Sequence, residues 1–476
     1  MTTIATPQPD AAASRPATPY FVSICLIVGL SGLLFGIDTA VVSGALAMVR
    51  ATFRLDSDGE GWIVSSAVLG CVIGTFASGW LADRFGRRAI LRAAGVLFLS
   101  STVASAVPPS AIVLVLARIV GGLGIGFASV VGPLYIAEIS PPRLRGRMIA
   151  TFQLAITVGI LTAFASNALI LRFGDRWAGD VQWLRWLLVD EMWRGMLGAC
   201  ALPSLLFLLL ILIIPESPRW LLKNGRPDQA KRVLIRLSGT GDVQLELASI
   251  DRSLTTQTGS LSELFSRRLR RPLVIGVLLT IFGNLSGINV IMYYAPKLLA
   301  TAGAAPEGAM DGTVAIGVMN LVFTLVAMAL VDRAGRRPLL LTGVGGCAAA
   351  LNTAALLFAF HVETGIRLLV PLLVHVACFA FSYGALGWIV ISELFPTRIR
   401  GRAAGFVTMF GWGTGFLISQ SLPRLLENLG GAGVFGIYGA ATAVAVLFIA
   451  TMVPETKGKT LEEIEQFWSS RPAAPS

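Results

Sequence analysis

Charge is scarce in this chain: 14% of its 476 residues are Asp, Glu, Lys or Arg, where about a quarter is usual for a water-facing globular surface. That excludes an ordinary soluble domain. Histidine is nearly missing, with only His361 and His375, and a lone histidine in an apolar segment reads as a packing residue. The five cysteines, Cys25, Cys71, Cys200, Cys347 and Cys378, show no metal-ligand spacing, so they read as small apolar side chains and no metal site is expected. No nucleophile–base arrangement and no phosphate loop is visible; "GLGIGFAS" (122–129) is a run of small residues that lets helices approach closely. Neither an enzyme nor a cofactor is therefore expected. The first 19 residues carry no basic stretch ahead of a short apolar core, so the first apolar run reads as its own insertion signal.

What the chain has in abundance is apolar surface, with 55% hydrophobic residues and a mean hydropathy of +0.74. A spanning helix takes about 20 mostly apolar residues. Twelve such runs begin near residues 20, 61, 89, 111, 149, 193, 272, 312, 338, 367, 402 and 431. The net charge of +11 would suit a nucleic-acid partner only if the basic residues shared one solvated face, and they fall instead in short runs between apolar segments. Arg84, Arg87 and Arg88 follow the second run, Arg143, Arg145 and Arg147 the fourth, Arg333, Arg336 and Arg337 the eighth, and Arg398, Arg400 and Arg402 the tenth. Even-numbered exits are basic, which places both termini in the cytoplasm and makes a lipid bilayer the first partner. The preference for arginine and alanine fits a bacterial inner membrane.

The chain repeats itself. "LADRFGRR" (81–88) returns as "LVDRAGRR" (330–337), "AEISPPRLRGR" (137–147) as "SELFPTRIRGR" (392–402), and "PESPRW" (215–220) is echoed by "PETKGK" (454–459). The order is the same each time, after runs 2, 4 and 6 and again after 8, 10 and 12. The expected architecture is an all-α membrane protein of twelve transmembrane helices in two pseudo-symmetric six-helix halves. A disordered N-terminal tail (1–19) leads into the first half (20–219). A cytoplasmic helical linker (220–271) joins it to the second half (272–453), and a C-terminal tail (454–476) follows. Two related halves place a substrate near the bilayer midplane, between them. No ring of repeated polar residues suggests a pore.

Two sets of charges stand out. Asp83, Arg84, Arg87, Glu138 and Arg145, with their repeats Asp332, Arg333, Arg336, Glu393 and Arg400, sit at the ends of spans, where carboxylates can pair with arginines or cap a helix N-terminus. They read as an ion-pair cluster that holds the two halves together on the cytoplasmic side. Asp38 is different, because it lies inside the otherwise apolar or small stretch from Tyr20 to Met48. A charge at membrane depth faces a partner or a wet cavity, and Arg118 of the fourth run is a candidate partner.

The motifs "GWLADRFGRR", "YIAEISPPRLRGR", "PESPRWL", "SGINVIMYYAP", "VDRAGRRPLL", "SELFPTRIRGR" and "VPETKG" resemble, in order and from about residue 20 to 465, the sugar porter family of the major facilitator superfamily. That group includes bacterial proton-linked sugar symporters and facilitative glucose carriers. The resemblance implies the major facilitator fold and a proton-coupled monosaccharide symporter working by alternating access. A facilitative sugar or polyol uniporter is the alternative, and a non-transporting sugar sensor a more distant one. The implied partners are a sugar or polyol and a proton, with the chain functional as a monomer. The resemblance also implies that Asp38 and Arg118 form the protonation site, the carboxylate staying ionised beside Arg118 and taking a proton once Arg118 withdraws.

For the pocket, the resemblance implies that Gln153 and Asn289 bond sugar hydroxyls, that Ile156 and Ile160 line the same wall, that Tyr293 closes it, and that Phe35, Trp388 and Trp412 supply aromatic faces. Amides offer donor and acceptor together, and flat rings pack against the C–H face of a pyranose. The chain departs from the family pattern at four places. Gly283 and Asn284 replace two glutamines, Gly411 replaces an amide, Gly384–Ala385 lacks a proline, and Cys200 stands where some symporters carry a third carboxylate. The two glycines are expected to leave side-chain space in the pocket.

Overall fold

The computed structural model describes residues 18–238, 243–255, 261–267, 269–396, 399–455 and 457. Most of the two expected tails lies outside that set, as do the side chains of Asp332, Trp388 and Arg400. The first half consists of spans 1 to 5, Pro19–Phe53, Ser57–Phe85, Arg87–Ala106, Ala111–Ile139 and Pro142–Ala178, and span 6, Met192–Ile211. In the second half, span 7 is Arg270–Thr301, span 8 Pro306–Ala334, span 9 Arg336–Ala359 and span 10 Gly365–Ile391. Spans 11 and 12 form one helical run, Arg400–Met452, divided at Gly430, whose φ of 63° and ψ of −177° are not helical. Among the described residues twelve spans thus arise, the last two as one run divided at Gly430.

Local chemistry sets the ends. Proline, pre-set for the first helical turn, opens spans 1 and 8 at Pro19 and Pro306. Asp56 caps span 2 by accepting the Gly59 N–H at 2.8 Å, satisfying an amide the helix leaves unpaired. Span 7 breaks at Gly287, φ 80°, between Arg270–Leu285 and Ile288–Thr301. Span 10 widens into a π turn over Ala380–Gly384, so the helix is distorted there without the family's proline.

Close approach fixes the packing inside the first half. A β-carbon on Gly36 of span 1 would lie 2.0 Å from the Ile156 carbonyl oxygen of span 5, and one on Gly159 would lie 2.1 Å from the Leu33 carbonyl oxygen. Only glycine allows that contact. Between the halves, span 1 meets span 7, span 2 meets span 11 and span 5 meets span 8. The arginine runs gather at one end of the bundle, called here the Arg-rich end. At the opposite end a single buried apolar cluster joins both halves, Val41, Val64 and Phe164 with Ile291, Tyr294 and Phe435. Toward the Arg-rich end the clusters separate by half: Val28, Leu91, Ile136 and Phe207 in one, Leu279, Leu340, Val390 and Ile449 in the other.

The stretch between the halves folds into Pro218–Lys223, Pro227–Ser238 and Val243–Thr255. It docks on the first half. The Trp220 indole donates to the Asp83 carbonyl at 3.0 Å, Lys223 pairs with the Asp83 carboxylate at 3.0 Å, and the Thr18 hydroxyl donates to the Leu237 carbonyl at 2.8 Å.

Candidate functional site

Span 1 presents Asp38 and span 4 Arg118, with Nη2 and Oδ2 3.7 Å apart. That is an ion-pair distance, too long for a hydrogen bond. The Arg118 side chain is 3% exposed and Asp38 23%, so the arginine is sealed among the helices while the carboxylate keeps an open side. Arg118 Nε has no hydrogen-bond partner among the described residues. A loose pair of this kind can separate without breaking a tight hydrogen-bonded lattice. Cys200 is buried in the apolar cluster shared by the halves.

Phe35 of span 1 and Trp412 of span 11 bring the halves into aromatic contact, with ring centroids 5.6 Å apart and planes at 45°. Trp412 packs against the cluster shared by the halves and also against the first half's own cluster, and Ile156 does the same. The Trp412 indole N–H is buried and has no partner among the described residues. Ile160 is buried at 6% exposure. Gln153 precedes Ile156 by three residues and so shares its face of span 5, half-buried and without a hydrogen bond among the described residues. Tyr293 is buried in the second stretch of span 7.

The amides of the second half hold one another. Asn284 donates to the Thr280 carbonyl at 3.0 Å and Asn289 donates to Asn284 Oδ1 at 3.1 Å, which leaves Asn289 its own oxygen and a second N–H. The space expected at Gly411 is partly taken. A β-carbon there would meet Thr280 Cβ at 3.4 Å and Asn284 Nδ2 at 3.5 Å, and one on Gly415 would come within 3.0 Å of Asn284 Oδ1. Two glycines one turn apart thus cradle the Asn284 amide. Gly283 likewise faces the Tyr383 ring at 3.5 Å, and Gly384 closes the π turn of span 10. Trp388, expected in this wall, lies outside the described side chains.

At the Arg-rich end the repeated motif builds the same object twice. Gly86, φ 98° and ψ 157°, reverses the chain between spans 2 and 3, and Gly335, φ 89° and ψ 162°, does so between spans 8 and 9. This region of backbone space is essentially glycine's alone. The turn exposes the first N–H groups of the next helix to a glutamate from the end of the same half. Glu216 accepts from Arg87 and Arg88 at 3.0 and 3.2 Å, and Glu455 accepts from Arg336 and Arg337 at 3.0 and 3.0 Å. Burial lifts the Glu216 carboxyl above the usual range, opposed by the backbone N–H groups of Ser217, Arg88 and Arg87 and by the Arg87 charge.

The side chain of Arg87 reaches Glu138 at 2.9 Å and Asp83 at 3.0 Å, and Ser217 also donates to Glu138. Arg336 reaches Glu393 at 3.2 Å. Arg84 is exposed and lies over the Trp80 ring, Arg145 Nε donates to the Ala137 carbonyl at 3.1 Å, and Arg333 is exposed. The sequence leads one to expect these charges to bridge the halves. The contacts of Glu138 run instead to its own half, and Glu393 receives an arginine of its own half, because each glycine turn folds the new helix back beside its neighbour.

A second charged group lies at the opposite end, among residues that the repeated motifs do not single out. Glu60 of span 2, its side chain 1% exposed, is paired with Arg50 of span 1 at 3.0 Å and with Lys297 of span 7 at 2.5 Å. Lys297 is the one charged residue in "INVIMYYAPKLLAT", the same signal that singles out Asp38.

A family model described as sugar (and other) transporter matches residues 24–468. The arabinose-proton symporter of Bacillus subtilis is 39% identical over 463 residues, 97% of this chain and 98% of that protein. The D-xylose-proton symporter of Escherichia coli is 37% identical over 484 residues, 94% of this chain and 96% of that protein. The inward open conformation of the xylose transporter XylE from E. coli superposes with a TM-score of 0.80 at 35% identity, covering 94% of this chain and all of that one (100%).

Proposed function

The chain belongs to the sugar (and other) transporter family, and we propose that it is a proton-coupled monosaccharide symporter that works by alternating access as a monomer in a bacterial inner membrane. We take the Arg-rich end as cytoplasmic, with both termini on that side, because basic loops stay inside. The observation that carries the reading is the Asp38–Arg118 pair, buried on the arginine side and open on the carboxylate side.

In this mechanism a sugar sits between the halves. Gln153 and Asn289 offer paired donors and acceptors, the Trp412 N–H offers one more donor, and Phe35 and Trp412 give the ring its apolar walls. Binding energy from groups on both halves favours the form in which the halves close around the sugar. A proton arriving at Asp38 cancels the charge that draws span 1 toward Arg118, so the two spans can move apart. Its departure to the cytoplasm restores the pair. The proton gradient thereby drives a one-way bias in a cycle that sugar binding alone would leave reversible.

The test is uptake by the purified chain in proteoliposomes across a panel of pentoses, hexoses and polyols, with and without an imposed proton gradient. Accumulation above the outside concentration only with the gradient is the expected result. Equilibration at the same rate in both conditions would replace symport with facilitated transport.

A further inference from the structure

We infer that Glu60, Lys297, Asp58, Arg424 and Gln420 form a clasp across the halves at the end opposite the arginines, and that this clasp sets how often the site opens to the outside. The orientation rests on the reading above; the clasp does not depend on the identity of the sugar.

Glu60 stands in the first turn of span 2 with its carboxylate between two cations, Arg50 of its own half at 3.0 Å and Lys297 of the other half at 2.5 Å. Beside it Asp58 pairs with Arg424 of span 11, and Ser57 donates to Glu427. Gln420, also of span 11, accepts from Ser65 at 2.7 Å and donates to the Asp58 carbonyl at 3.3 Å. The backbones touch as well, since a β-carbon on Gly61 would lie 2.5 Å from the Gln420 carbonyl oxygen.

Opening this end must pull spans 7 and 11 away from span 2. Lys297 then leaves Glu60, but Arg50 stays, because Arg50 and Glu60 belong to one half and Arg50 Nε is also held by the Leu55 carbonyl at 3.3 Å. The carboxylate is therefore never left bare. A buried charge stripped of every partner is strongly destabilising, and the third member of the group removes that obstacle to reopening. At the Arg-rich end the buried apolar clusters divide by half, whereas the clasp lies beside the one cluster that both halves share. The clasp is thus positioned to favour the inward-facing form.

The test follows a cysteine replacing Val68, a buried residue of span 2 that lies near Gly415 of span 11 below the clasp. The full chain, reconstituted in a known orientation without sugar, is treated with a membrane-impermeant maleimide on the outer or the inner side. Outer-side labelling should be slow in the parent. It should rise about tenfold in Lys297→Gln, which removes one partner of a charge pair across the interface, and in Arg424→Asp, which sets a carboxylate against Asp58 and makes the pair repulsive. Arg424 is 64% exposed, so its variant folds even if Lys297→Gln does not. The reversed pair, Asp58→Arg with Arg424→Asp, should return labelling to within about twofold of the parent, as a pair restored across the same interface requires. Unchanged labelling in both single variants, or a reversed pair as fast as Arg424→Asp alone, would overturn the clasp. If the accelerations appear only with inner-side reagent, the orientation is overturned, and with it the outward role of the clasp.

Discussion

Arg87 in the first half and Arg336 in the second each follow a positive-φ glycine, each offers its backbone N–H to a glutamate from the end of its own half, and each reaches a second glutamate with its side chain. At mid-membrane no such matched pair appears among the described residues of the two halves. Asp38 and Arg118 belong to the first half, whose wall adds Phe35 and Gln153, while the second half offers Asn284, Asn289 and glycines. Arg87 pairs with Asp83 and Glu138 within the first half and Arg336 with Glu393 within the second, while Asp38 and Arg118 stand 3.7 Å apart in a looser pair. If the repeated charges are scaffold, the unrepeated Asp38–Arg118 pair is where the proposed transport chemistry should break, and the two can be tested against each other.

The largest break in that comparison comes from the unrepeated pair. Asp38→Asn should abolish accumulation of sugar against its gradient while leaving exchange of labelled for unlabelled sugar measurable, if, as proposed, the carboxylate couples to the proton and does not hold the sugar. Uphill accumulation by the Asn variant in proteoliposomes would show that the proton travels elsewhere.

Truncating the repeated arginine should lower stability and leave coupling alone. Arg87→Ala leaves Glu138, 4% exposed, buried beside a lost partner, a loss of about 3–5 kcal/mol. Arg336 and Glu393 are more open at 17% and 21%, so Arg336→Ala should cost less, about 1.5–3 kcal/mol, the range of a hydrogen bond to a charged group. Thermal unfolding of both variants in detergent checks the ranking. Equal losses would mean that burial does not distinguish the two copies.

The glycine turns give the next effect. Gly86→Ala and Gly335→Ala force a side chain into a region that costs about 1–3 kcal/mol. The first should lose more, because its β-carbon would lie 2.3 Å from Glu216 Oε2 against 2.9 Å from Glu455 Oε2 at Gly335. Unfolding temperatures in the reverse order would remove the glutamate contact from the account.

Much of this was legible beforehand. Twelve apolar runs, the doubled motifs and the lone Asp38 each rest on a pattern local to the chain, and local patterns survive folding. The partners of Glu138 were not legible. Charge spacing gives reach but no direction, and the direction comes from φ at Gly86, which turns span 3 back within its half. Glu60 is not legible for a related reason: an acid in the first turn of a helix is ordinary, and only the packing of span 7 against the first half brings Lys297 to it. The space expected at Gly411 is partly taken because a side chain missing from one helix can be met from another, here by Thr280 and Asn284 of span 7 at 3.4 and 3.5 Å from where its β-carbon would lie.

That partly taken space supplies the smallest and sharpest test of how the second half differs from the first. If Gly411 and Gly415 exist to seat Asn284, an added methyl should matter according to its distance from that amide. At Gly411 the β-carbon falls at 3.4–3.5 Å from Thr280 and Asn284, ordinary contact, so Gly411→Ala should leave sugar affinity nearly unchanged. At Gly415 it falls at 3.0 Å from Asn284 Oδ1 and 3.4 Å from Asn289 Nδ2, on both ends of the bond that orients Asn289. Gly415→Ala should therefore break that bond, worth about 0.5–1.5 kcal/mol, and weaken sugar binding by about two- to tenfold with proton coupling intact. Gly411→Asn should do more than Gly411→Ala, since its amide must displace Asn284 to enter. Isothermal titration with the sugar the uptake panel selects reads all three variants. Should Gly415→Ala bind as well as the parent, the Asn284–Asn289 bond does not shape the pocket, and specificity rests on Gln153, Trp412 and the free atoms of Asn289.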